Sequence, residues 1–384
     1  KHLPAAPAGR PAMFRVTNRP WDFGRTSEAD SDFVDAPSSP SAAKAGDATA
    51  PAKAPRVWPP PPKGAPAMPQ GYHPNSPLPL PGWHGNLSAA QGAALDDLRA
   101  RVLADEALAA RVIAEAPRPA EDEDGLLLRF LRARQFDVDK AEALLREDMA
   151  WRADKEVAHI AAQEPSAVLG APLALMQWYI PTWMESEDKQ GRPVVWSKFG
   201  DWRTDRVLEH TDHDKLVDFH VWEQEKMVRR MREQSAKHGA RVSQGTAVVD
   251  MKRWGPSLMT RNAMAWLKAT VAIDNAHYVE RNGTAVIVNA PYTFSIIWNF
   301  VRAWIDEATA AKIQIFSSEK YWKPALRALI DEEHIPVEYG GTNPVVLRDV
   351  TQQDTAPLQR QLSAPAEVPA PRACGDAAAA GMTG

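Results

Sequence analysis

Cysteine is almost absent. Only Cys374 stands among 384 residues, so neither a disulfide framework nor a cysteine-based zinc site can be built. Such cysteine usage permits a reducing compartment. No charge sign dominates either. The 45 Lys and Arg face 49 Asp and Glu, a net charge of −4, which gives no basic balance to steer the chain to nucleic acid. No apolar run reaches the roughly eighteen residues that a membrane-spanning helix requires. No charged n-region followed by an apolar h-region opens the chain, so a secretory signal is not expected. The start at Lys1 leaves open whether a targeting segment precedes it.

Signature loops are missing as well. There is no G-x-x-x-x-G-K-[ST] phosphate cradle and no G-x-G-x-x-G after a strand. The G-x-S-x-G elbow and H-E-x-x-H are absent too. With them go the usual signals of nucleotide binding, serine hydrolysis and zinc proteolysis. The chain is expected to be no enzyme and to need no cofactor. Glu209, His210, Asp212, His213 and Asp214 have metal-ligand chemistry. They sit where a helix begins, however, and acidic residues suit a helix N-terminus, so a solvated cap is favoured over a metal site.

What is there is distributed unevenly. Residues 1–85 hold 18 of the 33 prolines, and residues 345–384 are rich in Ala, Pro and Thr. Such composition buries too little apolar surface to offset chain entropy. Both ends are therefore expected to be disordered, and Trp58-Pro59-Pro60-Pro61-Pro62-Lys63 reads as a stiff spacer or an adaptor-domain ligand, with the spacer favoured. Structure is expected from about residue 87. Ser88 and Gln91 have capping-box spacing ahead of Leu95, Leu98 and Val102. A run from Leu126 to Phe136 follows, and Asp137 can cap a helix over 138–153. Residues 86–157 thus form a small all-helical unit.

Near residue 190 the period changes. The segments 193–197, 246–251, 284–289 and 313–316 are short, β-branched and strand-like. Helical patterns at 213–237, 257–277, 294–305 and 319–331 separate them. That alternation predicts an α/β domain with a mainly parallel sheet over 165–344. The 294–306 segment is unusual. Ser295, Asn299, Arg302 and Asp306 make one narrow polar stripe, and the remainder is apolar, including Ile297, Trp298, Phe300, Val301 and Trp304. It reads equally as a lid over a greasy cavity that can meet a bilayer, or as a buried core helix. Charged residues flank apolar elements at Arg134, Glu280, Arg281 and Lys312, and Thr309 shares a helical face with Lys312. Taken alone, that set is read as surface ion pairs before a phosphate site.

Those residues carry a resemblance. Leu126-Leu127-Leu128-Arg129-Phe130-Leu131-Arg132-Ala133-Arg134-Gln135-Phe136-Asp137 is similar to the helical signature preceding CRAL-TRIO lipid-binding domains. Trp151-Arg152, Gly191-Arg192-Pro193-Val194, Val249-Asp250-Met251-Lys252, Tyr278-Val279-Glu280-Arg281, Val288-Asn289-Ala290-Pro291 and Tyr339-Gly340-Gly341 resemble its later landmarks in order. The set spans about 87–344 and is most similar to the phosphatidylinositol transfer type.

The resemblance implies an α/β domain holding one phospholipid in a cavity floored by the sheet. Residues 294–305 would be its gate. It implies that Arg134, Glu280, Thr309 and Lys312, with Arg281 beside them, hold the inositol phosphate, and that Ile297, Trp298, Phe300, Val301 and Trp304 form the gate surface. Positions that carry hydroxyls in members binding phosphatidylcholine are Met184, Val195, Gly245 and Ala247 here, so the second ligand is not expected. The implied partners are phosphatidylinositol, a transient membrane surface, and a lipid kinase or adaptor domain. The implied setting is cytoplasmic and membrane-peripheral, as a monomer. A sterol, tocopherol or retinoid carrier and a non-shuttling lipid sensor or scaffold are the competing readings.

Overall fold

The computed structural model describes residues 57–304 and 307–347. Cys374, Asp306 and the segments 1–56 and 348–384 lie outside the described residues, as do the side chains of Ser295, Ile297 and Phe300.

Four helices open the structure: α1 (Ala89–Ala104), α2 (Glu106–Glu115), α3 (Glu123–Ala133) and α4 (Val138–Asp154). Side chains fix their starts. Ser88 and Gln91 close a capping box on α1, Asp122 caps α3 by accepting from Gly125 N, and Asp137 caps α4. Apolar residues one turn apart then meet in one core, where Leu98, Val102, Leu127, Phe130, Leu131 and Leu145 are fully buried. After α3 the chain reverses sharply. Gln135 and Phe136 take φ of +53° and +62°, which returns Phe136 to the core and leaves Arg134 at the turn.

Three short helices, α5 (Val157–Ala162), α6 (Pro165–Leu169) and α7 (Ala174–Tyr179), lead to the sheet. Its strands are β1 (Thr182–Glu187), β2 (Pro193–Ser197), β3 (Gly245–Asp250), β4 (Asn282–Val288) and β5 (Ile313–Ile315), side by side in that order. β2 to β5 are parallel, and β1 pairs antiparallel with β2. The crossovers are α8 (Thr204–Leu208) with α9 (His213–His238), then α10 (Arg261–His277), then α11 (Phe294–Arg302) with α12 (Glu307–Ala311). Helix α13 (Glu319–Leu329) follows. The acidic cluster at 209–214 is a helix start, with Asp212 accepting from Lys215 N, and no metal-holding group occurs among the described residues. β1 is the strand that sequence patterning missed. Its Trp-Met-Glu-Ser-Glu run is interrupted by a bulge between Trp183 and Ser186, which breaks the alternation that patterning detects.

Strand alternation divides the sheet. Val194, Trp196, Val248, Val286 and Val288 face α13 and the closing segment, against Trp322, Leu326, Ile330 and Tyr339. Val249, Ile287, Ile313 and Ile315 face the other way, towards Phe294, Trp298 and Val301.

Residues 57–85 differ from expectation. They are not a disordered arm but a strap laid on the folded body. Trp58 Nε1 donates to Asp124 at 2.7 Å. Tyr72 bridges to Arg241, whose backbone N–H donates to Gly71 O at 2.7 Å. Asn75 Nδ2 reaches Lys189 O, and Trp83 is 7% exposed. Composition misleads here for a physical reason. Proline has little φ freedom to lose, so a few aromatic anchors suffice to order the segment. Trp58 is tied to the protein while Pro59 to Pro62 remain exposed.

Candidate lipid-binding site

One cavity of about 430 Å³ opens on the side of the sheet that α9, α10 and α12 cover. That lies within the usual range for small-molecule sites. Val195, Gly245 and Ala247 floor it from β2 and β3, with Met227 of α9 and Val271 of α10 on its walls. Gly245 has a steric reason. A Cβ there would stand 2.9 Å from Met227 Sδ, so a larger residue at 245 would require the flexible methionine to shift.

Arg134, Glu280, Thr309 and Lys312 all line this cavity, although nearly 180 positions separate the first from the last. Each is set in place by local structure. Arg134 stands at the C-cap of α3. Glu280 occupies the turn before β4 with φ of +60°, a left-handed value that a non-glycine residue holds at a cost of about 1–3 kcal/mol. Two clamps impose it: Arg129 Nη1 donates to Val279 O at 3.2 Å, and Gln244 Nε2 donates to Glu280 O at 3.1 Å. Thr309 and Lys312 share the turn that ends α12, where Lys312 N donates to Thr309 O. Lys312 Nζ lies 3.2 Å from Glu280 Oε2.

Arg281 also lines the cavity, but its guanidinium is otherwise engaged. It lies 3.1 Å from Glu121 and donates to Ser243 O. Burial pushes its pKa down to about 10. Burial opposes the charge on Glu121 as well, yet Arg281 and Arg129 hold that carboxyl below its usual range. This buried cluster joins the helical unit to the sheet.

Two groups of residues went unrecognised in the sequence. Arg132, from the same arginine-rich helix, lines the cavity with its Nε 3.9 Å from Glu280 Oε2. Gln224 and Asp274 also line the cavity, with His220 Nε2 and Gln224 Nε2 each 2.8 Å from Asp274 Oδ1. A helical spacing of four put His220 and Gln224 on one face of α9, but nothing in the sequence paired that face with α10.

Arg132, Arg134, Arg281 and Lys312 line the cavity together with Asp274, Glu280 and Glu307. Cations exceed carboxylates by one, which complements a single phosphodiester charge. The 294–304 segment packs on the sheet. Trp298 and Val301 pack with Phe294, Met251, Trp254 and Ile287. Trp304 is half-buried just beyond α11, and its carbonyl accepts from Asn275 Nδ2. Ile297 and Phe300, also expected on the gate surface, have side chains outside the described residues.

Comparison with known proteins bears on the family and the fold. Residues 177–341 match the CRAL/TRIO domain, and residues 95–147 match the CRAL/TRIO N-terminal domain. The SEC14 cytosolic factor of Eremothecium gossypii is 30% identical over 267 residues, covering 69% of this chain and 81% of that protein. The phosphatidylinositol/phosphatidylcholine transfer protein SFH7 of Arabidopsis thaliana is 29% identical over 224 residues, or 58% of this chain; the match spans only 40% of that longer protein. The crystal structure of Sfh5 shares the fold, with a TM-score of 0.52 and 18% identity over 71% of this chain and 97% of its own.

Proposed function

The chain belongs to the CRAL-TRIO family of the Sec14 type, whose domain binds and transfers lipid, and from that premise we propose that it carries phosphatidylinositol between membranes. The convergence of Arg134, Glu280, Thr309 and Lys312 on one cavity carries the reading.

The physical problem defines the parts. At about 0.8 kcal/mol per buried CH₂, two acyl chains represent roughly tens of kcal/mol of apolar surface that cannot cross water unprotected. The apolar walls from β2, β3, α9 and α10 take part of that surface, and the cavity of about 430 Å³ takes the rest only when the 294–304 segment moves off the sheet face it covers. Burying the phosphodiester without a partner would be very costly. Lys312 and Arg134 neutralise it, and the Thr309 hydroxyl donates to it. Glu280, released from Lys312 by the incoming phosphate, accepts hydrogen bonds from inositol hydroxyls. A choline headgroup has no such donor, so the wrong lipid leaves a buried carboxylate unpaired. Met184, Val195, Gly245 and Ala247 offer no hydroxyl for a second headgroup, which supports phosphatidylinositol as the main cargo.

The 294–304 segment works as the gate. Its apolar face, bearing Trp298 and Trp304, enters the interface while the lipid exchanges, then closes on the sheet in water. The protein performs no chemistry on its cargo and works as a cytoplasmic monomer that visits membranes transiently. A vesicle assay tests this directly. With donor vesicles containing labelled phosphatidylinositol and unlabelled acceptors, the full chain should speed transfer well above the spontaneous rate. Tight binding without transfer would instead identify a sensor or scaffold that presents lipid to a kinase.

A further inference from the structure

The strap and the cavity meet at one side chain. Trp83 lies under the Arg132 guanidinium, whose Cζ stands 3.7 Å from the ring centroid, well inside cation–π range. Arg132 Nη1 donates to Gly82 O at 3.3 Å. Gly82 itself is fixed, with φ of +87° and the Phe136 ring 3.0 Å from where a Cβ would stand. Tyr72 supports Trp83 edge-on, and Arg241 ties the Tyr72 region to Asp122 at 2.9 Å. These contacts pin a long, flexible arginine from the strap side. Arg132 also lines the cavity, and its Nε is buried with no hydrogen-bond partner, since Glu280 Oε2 at 3.9 Å is beyond bonding distance.

A buried donor left unpaired is unfavourable, and native structures rarely keep one without a use. Surrounding groups do not supply the partner. Glu121 is taken by Arg129 and Arg281, and the Glu280 carboxylate sits nearer Lys312. An oxygen of an anionic headgroup held between Lys312 and Arg134 would meet it.

Resting on the phosphatidylinositol reading, we propose that Arg132 is a further headgroup-binding residue, donating from Nε to the bound phosphate or an inositol oxygen, and that Trp83 of the proline-rich strap is its positioning residue. The strap is then part of the specificity apparatus rather than a leader to it. Removing the aromatic face frees Arg132 to adopt other rotamers and weakens headgroup binding, although Trp83 itself touches no lipid.

The test uses the full chain, incubated with phosphatidylcholine vesicles holding increasing fractions of phosphatidylinositol, with bound lipid extracted and quantified by mass spectrometry. Four variants are compared: Arg132→Gln, Trp83→Leu, Trp83→Phe and Lys312→Ala. Arg132→Gln should need about tenfold more phosphatidylinositol for half-loading, the usual loss for a charge-assisted hydrogen bond. Trp83→Leu, which keeps apolar bulk, should need about threefold more, and Trp83→Phe should restore near wild-type loading. Thermal midpoints separate positioning from folding. If Leu and Phe variants melt alike yet load differently, the aromatic face positions Arg132. If loading merely follows the thermal midpoint, the role given to Trp83 is overturned. Unchanged loading of Arg132→Gln while Lys312→Ala fails overturns the role given to Arg132 and leaves the proposed function standing. Normal loading of Lys312→Ala overturns the phosphatidylinositol reading itself.

Discussion

The Glu280 carboxylate and the Lys312 ammonium stand 3.2 Å apart across the mouth of the cavity, one before β4 and the other before β5. Parallel strands explain the meeting. β4 and β5 run side by side in register, Ala285 beside Ile313, so the residues preceding each strand emerge at the same sheet edge. Each group of the pair thus answers the other's charge, and under the proposed function a phosphate would take Lys312 while inositol hydroxyls take Glu280.

Removing the lysine separates binding from folding. Lys312 is part-exposed, so Lys312→Ala should leave the thermal midpoint within a few degrees of wild type. Phosphatidylinositol transfer should fall at least about tenfold, the loss expected for one charged partner of a phosphate. Transfer rates from labelled vesicles read the effect, and an unchanged rate would remove Lys312 from the site.

The gate makes a kinetic prediction. Trp304→Glu places a charge on the face proposed to enter the bilayer, so under the proposed function exchange should slow several-fold. Loading at equilibrium should stay within about twofold, because Trp304 does not line the headgroup site and its backbone remains anchored by Asn275. Stopped-flow exchange against endpoint loading distinguishes the two. Equal exchange rates would count against a gate at this position.

The cavity wall carries a pH dependence. Burial opposes a charged His220, but Asp274 at 2.8 Å, with Glu223 beyond it, outweighs burial and raises the His220 pKa above its usual 6.5. A base whose pKa is raised on folding stabilises fully below its unfolded pKa, and that contribution disappears as pH climbs through the folded value. His220→Gln should therefore lower the thermal midpoint at about pH 5.5, and the gap from wild type should narrow as pH rises above the unfolded value of about 6.5 and through the raised folded one. Melting curves across that range would show it, and a gap that widens with pH would contradict the assignment.

Asp250 should be the most sensitive position in the sheet. It accepts from Lys252 N at 2.8 Å, Asn289 Nδ2 at 2.8 Å and the Tyr339 hydroxyl at 3.0 Å, and it is 5% exposed. Asp250→Ala leaves three donors unpaired and should cost about 3 kcal/mol or more. Urea unfolding should show a lower midpoint with an unchanged slope. A loss under about 0.5 kcal/mol would mean water satisfies those donors instead.

That same cluster explains why much of the fold was legible in the sequence. Asp250, Asn289 and Tyr339 each belong to a separate landmark, and their order in the chain resembled the family before any contact was known. They meet because one carboxylate needs donors from β4's end and from the closing segment. Arg134, Glu280, Thr309 and Lys312 were picked out only through the resemblance, since taken alone they read as surface ion pairs, and the structure brings all four to one cavity. Arg132 was not singled out, because Arg129, Arg132 and the C-cap Arg134 look alike in sequence. Only packing assigns Arg129 to Glu121, Arg132 to Trp83 and Arg134 to the rim. The strap was misread because its order depends on a few long-range anchors, such as Trp58 with Asp124, and local composition is blind to them.

The identity of the lipid tests the account most directly. Purified full-length chain, incubated with vesicles of mixed phospholipids, sterol and retinoid, can be re-isolated and its bound lipid extracted for mass spectrometry. Phosphatidylinositol should dominate at about one molecule per chain and should vanish from Lys312→Ala. Recovery of an uncharged sterol or retinoid, retained equally by the variant, would show that the charged mouth does not choose the cargo.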